Sequence, residues 1–157
     1  MKNIIIICAL LLSGISIAQT KTYKGAWFEI KYPASFKAKG SIKSATSGSG
    51  FDSAVFDSPD GKVQFYIFSP QWSGTAHDIE IKSSEKLVSS ETKESGDKEL
   101  LWWTISAKNN SYTRSYQETK EHSTNWIFGI KYKDDASLKK YKKQYLNFKK
   151  SLVQFAD

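Results

Sequence analysis

Few side chains in this sequence are equipped for acid–base or nucleophilic chemistry, and fewer still are spaced for it. There are two histidines, His77 and His122, and one cysteine, Cys8. His77 adjoins Asp78, and such a pair can fix an imidazole tautomer. Adjacent residues on an extended chain point apart, and no Ser or Cys nucleophile is placed to complete a triad. His122 lies in the charged run Lys120-Glu121-His122 and reads as solvent-exposed. The carboxylates are scattered, with no DxDxDG calcium loop, no HExxH helix and no Gly-rich phosphate cradle. Asp57 and Asp60 flank a turn too short to wrap calcium. The expectation is a protein with no metal, no cofactor and no catalytic residues. A small hydrolase with its site near His77 is the enzymatic alternative.

Binding chemistry is better represented. The loop Ser69-Pro70-Gln71-Trp72-Ser73-Gly74 sets an indole between proline and glycine. Such an indole stacks on a sugar face or anchors a partner protein, or else folds back to plug the end of a sheet. Gln71, Trp72 and His77 are therefore candidate binding residues. In Trp102-Trp103 the two rings must leave a strand on opposite faces. Trp103 shares its face with Leu101 and Ile105 and reads as core. Trp102 is either covered by a helix or exposed as a platform, and it joins the candidates.

The chain's end is basic, since residues 133–157 hold seven Lys and three Asp. At about 100° per residue, Lys139, Lys143 and Lys150 fall within about 40° of one another on a helix. That stripe suits phosphates, anionic lipid head groups or acidic polysaccharides; its plainer reading is a solvated face. Asp52-Ser53-Ala54 is similar to an Asp-Ser/Thr-small O-glycosylation acceptor of some bacterial envelope proteins, which would place Ser53 facing out.

These residues belong to a chain of 157 residues, 39% hydrophobic, 14% aromatic and 25% charged, with a net charge of +7. Such a composition is globular and sufficient for one domain. The single cysteine excludes a disulfide scaffold, a cysteine-rich zinc module and an iron–sulfur centre. Residues 1–18 read as a cleaved signal peptide: a positive start at Lys2, an apolar run from Ile4 to Leu12, and Ser16-Ile17-Ala18 before the cut. The run is too short to span a bilayer, which takes about 20 residues as a helix. Cys8 lies inside the run, which argues against lipidation. The mature chain is expected to be a soluble periplasmic or extracellular protein. It would lack a transmembrane segment and be separated from nucleic acid.

Residues 19–25 read as a polar lead-in and 26–157 as one globular domain. Phe28, Ile30 and Tyr32 alternate as a strand that Pro33 stops. A weaker strand follows over 36–44. Segments 51–57 and 62–69 flank Ser58-Pro59-Asp60-Gly61, which predicts a hairpin with a type I turn. Residues 80–93 fit either an edge strand or a short helix. Strands over 99–107, 111–118 and 124–132 complete an antiparallel meander. Leu138, Tyr141, Tyr145, Phe148, Leu152 and Phe155 then form one apolar stripe, predicting a helix of about five turns that packs on the sheet.

The opening Phe-x-Ile-x-Tyr-Pro strand (Phe28 to Pro33), the hairpin, the meander and a final helix carrying Phe-Lys-Lys-Ser-Leu (Phe148 to Leu152) resemble the PsbP-like superfamily. The resemblance spans most of 26–155 as an order of elements. It implies an α+β fold, an antiparallel sheet between helices in an α/β/α sandwich, with a middle helix that this sequence does not place. It also implies a binding or assembly accessory rather than an enzyme. The functional expectation is an exported, non-catalytic binding protein of the bacterial envelope. Its partner is an envelope protein held at Trp72, or alternatively an anionic glycan or lipid held by the helix lysines.

Overall fold

The computed structural model describes residues 19–155; the signal-peptide reading of 1–18 lies outside them. The chain runs β1 (Thr20–Lys24), β2 (Phe28–Pro33), β3 (Lys37–Gly40), β4 (Ser53–Asp57) and β5 (Val63–Phe68). A 3₁₀ turn at His77–Ile79 follows, then β6 (Glu85–Ser95), β7 (Lys98–Ala107), β8 (Thr113–Glu121) and β9 (Thr124–Tyr132). Helix α1 (Asp135–Lys150) and the short β10 (Val153–Gln154) end it.

Two antiparallel sheets result. The larger has seven strands in the order β3-β4-β5-β9-β8-β7-β6, and the smaller has three in the order β1-β2-β10. The meander of the sequence reading is thus two meanders, β3-β4-β5 and β6-β7-β8-β9, joined where β9 returns to β5. The 58–61 hairpin forms as expected, with Gly61 at φ 67, a left-handed conformation open to glycine.

One face of the large sheet carries the main core. Phe56, Phe65, Ile67, Phe128 and Ile130 point to it, and Phe28 and Ile30 of β2 with Tyr141 and Phe148 of α1 close over them. Phe148 packs edge-on against Phe56 and lies tilted over Phe65. Full burial of such a side chain stabilises by roughly 1.5–3 kcal/mol. Asp134 caps the helix by accepting from the Ser137 N–H at 2.8 Å.

Three features depart from the sequence reading, and one alternative it left open is decided. Residues 20–24 are not a loose lead-in; they pair with β2 along its length. Of the two readings of segment 80–93, the edge strand holds: β6 runs from Glu85. The helix stops at Lys150 because the Ser151 hydroxyl bonds to the Phe148 carbonyl and accepts the N–H of Lys31 at 2.9 Å. Val153–Gln154 then joins β2, and Phe155, assigned to the helix stripe, is 43% exposed. Among the described residues, the second face of the large sheet is covered by the 70–84 segment with its 3₁₀ turn, and not by a second helix.

Candidate functional site

The second face is where polar and apolar chemistry meet. Gly129, in mid-β9, makes room for the ring of Tyr116, which a Cβ there would strike, and for the Cβ of Tyr66. Tyr116 meets Tyr66 edge-on and stacks on Trp103 at 5.2 Å between centroids. Phe68, Ile127, Ala76 and Ile79 fill in around them.

The 70–84 segment is tied down over this surface by side-chain hydrogen bonds. Ser73 donates from both its N–H and its hydroxyl to the carbonyl of Ser123. Asn125 accepts from the Gly74 N–H and donates back to the Gly74 carbonyl. Asp78 accepts from the Ser53 hydroxyl at 3.0 Å and the Tyr66 hydroxyl at 2.7 Å. Arg114 donates to the carbonyls of Ile79 and Glu80, to the Tyr116 hydroxyl and to both oxygens of Glu85. Tyr112 and the Lys82 N–H complete the shell around the Glu85 carboxylate.

The electrostatics follow the burial. Desolvation works against a charged Glu85, yet the bonds from Arg114, Lys82 and Tyr112 prevail and hold its pKa down to about 2. Burial, reinforced by the Asp78 carboxylate, pushes the Tyr66 phenol far above its ordinary range. Burial likewise raises Tyr116. Burial thus favours the neutral phenol at both, and each hydroxyl serves a bond that anchors the segment: Tyr66 donates to Asp78, and Tyr116 accepts from Arg114.

Between the anchored segment and the sheet runs an open apolar groove of about 610 Å³. Leu101, Trp103 and Ile105 of β7 form its floor, with Ile79 and Ile81 on one side and Leu87 of β6 on the other. Glu80, Glu118 and Lys120 supply polar rim groups. Ile81 and Leu87 are 52% and 56% exposed, so apolar side chains stand open to water on both walls.

The candidates from sequence fall in different places. Trp72 is 55% exposed, immediately before the groove residue Ser73, so it does not plug the sheet. Gln71 is half-buried beside it. His77 is exposed, and its neighbour Asp78 gives its oxygens to Ser53 and Tyr66, so no His77–Asp78 catalytic pair is assembled. Trp102 is half-buried on the opposite face, in register with Gln117, whose side-chain oxygen accepts from Lys149 of α1. Trp103 is not sealed core; it is half-buried and walls the groove. Ser53 does not face out: it is fully buried against Asp78, because β4 is interior to the sheet.

Lys139, Lys143 and Lys150 are all exposed on α1. Of the three, Lys143 also lines, with Lys31 and Lys140, a second groove of about 520 Å³ between α1 and β2. There the Gln144 Oε1 is buried without a partner. Sequence reasoning missed Lys31, and it missed the Arg114–Glu85 anchor. A signal for the anchor existed: Arg114 is the sole arginine in a chain otherwise supplied with lysine. Arginine is suited to a buried two-point contact with a carboxylate. Among the described residues no group of three or more His, Cys, Asp or Glu could hold a metal ion. No described helix is long and apolar enough to cross a membrane.

No protein-family model and no curated protein matches this sequence. The fold nevertheless resembles that of a cyanobacterial PsbP, an α+β arrangement of antiparallel sheet and C-terminal helix. The solution structure of cyanobacterial PsbP (CyanoP) from Synechocystis sp. PCC 6803 aligns at a TM-score of 0.53 and 12% identity, covering 90% of this chain and 96% of that one. A crystal structure from Bacteroides thetaiotaomicron VPI-5482 aligns at a TM-score of 0.46 and 16% identity, covering 89% of this chain and 49% of that one. At such identities the likeness is one of fold.

Proposed function

We propose that this protein is an exported, non-catalytic accessory protein of the bacterial envelope that holds an apolar segment of a partner protein in the groove beneath residues 73–81. One observation carries the reading. An apolar groove stands open to water on a rigidly anchored wall, with Trp72 exposed beside it. Exposed aromatic and aliphatic groups around a concave apolar floor are the usual anchors of protein recognition. Export rests on the signal-like residues 1–18. The accessory role rests on the kind of partner the groove fits, and the CyanoP likeness agrees in fold.

The second groove favours another reading. Lys31 and Lys143 meet there without a carboxylate among the lining residues, which suits an anionic glycan or lipid head group. The two readings separate in one experiment. A photoreactive amino acid at position 81 is irradiated in the native envelope, and a synthetic peptide of the cross-linked segment is titrated by tryptophan fluorescence. Binding that Leu87→Glu abolishes supports the apolar groove. Binding unaffected by Leu87→Glu, or cross-links confined to lipid or glycan, rejects it.

A further inference from the structure

The free edge of the large sheet is β6, and its side chains from Lys86 to Ser95 are all exposed. A long unpaired edge is ordinarily a template for another strand. The opposite edge, β3, has only four residues. A bulge between Leu87 and Ser89 interrupts β6, leaving Ser89–Ser95 in regular register with β7. That regular stretch reads Ser-Ser-Glu-Thr-Lys-Glu-Ser.

We infer that β6 pairs antiparallel with β6 of a second copy of this chain, about a two-fold axis through Thr92. An antiparallel pair related by a two-fold axis perpendicular to the sheet must place some residue opposite its own copy. With Thr92 on the axis, Glu91 faces Lys93 of the other copy and Lys93 faces its Glu91. Ser90 then faces Glu94, and Ser89 faces Ser95. Two opposite-charge cross-strand pairs form, and no like charges stand opposed. Moving the axis one residue either way sets Glu91 against Glu91, or Lys93 against Lys93. The charges that would blunt an edge against other strands therefore specify one register with itself.

The neighbouring surfaces agree. Neither Glu91 nor Lys93 makes an ion pair within the described chain, so both are available across the axis. They lie opposite Trp102 and Leu100 of β7, both half-buried. On the other face Ser90 and Thr92 lie opposite Trp103 and Leu101, at the floor of the apolar groove. Pairing would set the two grooves on either side of a seam of small side chains, making one longer trough. This inference does not depend on what the groove holds.

The test uses the full chain with Cys8→Ser, so that an introduced thiol is the only one whether or not residues 1–18 are removed. Thr92→Cys places two thiols across the axis, where the Cα atoms of facing residues stand about 4.5–5.5 Å apart, within disulfide reach. It should cross-link to a dimer on mild oxidation. Ser89→Cys, facing Ser95, should not, while Ser89→Cys with Ser95→Cys should. In sedimentation, Glu91→Lys and Lys93→Glu should each weaken self-association by on the order of tenfold or more. A mixture of the two variants should restore it, because the charges are then complementary again. Circular dichroism of each variant guards against loss of fold. A wild-type chain that stays monomeric up to roughly 1 mM, a Thr92→Cys variant that does not cross-link, or a mixture that does not recover association overturns the proposal.

Discussion

Arg114 meets Glu85 in a two-point contact, Nε to Oε1 at 2.8 Å and Nη2 to Oε2 at 2.6 Å, with side chains 6% and 1% exposed. The same guanidinium holds the carbonyls of Ile79 and Glu80, so one side chain of β8 fixes the groove wall to the sheet. Arg114→Met leaves a carboxylate buried without its partner, and breaking a buried pair from one side costs about 3–5 kcal/mol. Arg114→Met with Glu85→Met should recover much of that loss. Denaturant unfolding of the four-member cycle measures the coupling. Hydrogen exchange over 76–84 should rise in the single variant.

Acid tests the same contact. Glu85 titrates in the fold at about 2, against about 4.3 for a free glutamate. A carboxyl whose folded pKa is depressed contributes stability that is fully present above the unfolded value and is lost as pH falls through the folded one. The contact should therefore be indifferent to pH between 5 and 8 and weaken from about pH 4 down to about 2. Thermal midpoints over that acid range should fall less steeply in Glu85→Gln than in the wild type. Equal slopes would show that Glu85 does not report on acid unfolding.

Alternation made β2, β7 and β9 legible, because each presents large apolar side chains at every second position to a covered face. It could not separate covered from uncovered parts of that face. Trp103 shares the alternation of Leu101 and Ile105, yet the 73–81 wall stands off from it and leaves a groove. Strand β6 carried no alternation because it lies exposed at the edge, so its sequence fits a helix as well. Strand β1 was hidden for the same reason, with only Tyr23 half-buried. The stop of α1 depends on Ser151 bonding to Lys31, 120 residues away in sequence. Burial of Ser53 depends on Asp78 reaching back from a segment that pattern alone cannot place.

Trp72 and Trp103 should respond oppositely to truncation. Trp72→Ala removes an exposed ring and should change stability by no more than about 0.5 kcal/mol. Trp103→Ala removes a half-buried ring stacked on Tyr116 and should cost on the order of 2 kcal/mol. Both should weaken binding of an apolar peptide to the groove. Loss of several kcal/mol in Trp72→Ala would place that ring in the core and reject its role as an anchor.

The lysines regroup in three dimensions, and the regrouping can be measured. Lys139, Lys143 and Lys150 share a helix face, but it is Lys31 that lines the second groove with Lys143. Lys31→Gln with Lys143→Gln should reduce association with anionic vesicles or acidic polysaccharide at low salt. Lys139→Gln with Lys150→Gln, which removes the same charge, should reduce it less. Added salt should suppress what remains, since exposed charges are screened within about 10 Å at 0.1 M. Equal loss in the two pairs would assign the effect to net charge and not to the groove.

The hairpin turn between β4 and β5 docks the start of α1 through one carboxylate. Asp60 Oδ2 accepts from the Tyr141 hydroxyl and from Lys140 Nζ, each at 2.9 Å, while Oδ1 accepts from the Ser58 hydroxyl and the Lys62 N–H. The bonds from Lys140 and Ser58 hold the Asp60 carboxyl well below the usual carboxylate range. Its contribution is accordingly present above the unfolded value near 3.9 and lost as pH falls below it. Tyr141 is 5% exposed and packs on Phe36, so its ring has little freedom to find water if the carboxylate is removed. Tyr141→Phe should cost about 1 kcal/mol, the net worth of one hydrogen bond, with the ring packing kept. Asp60→Asn should lower the thermal midpoint at neutral pH, whereas Lys140→Gln should change little, since the Lys140 side chain is 62% exposed. If Tyr141→Phe and Asp60→Asn prove additive in a double-mutant cycle, the two groups do not act together and the turn is docked by packing alone.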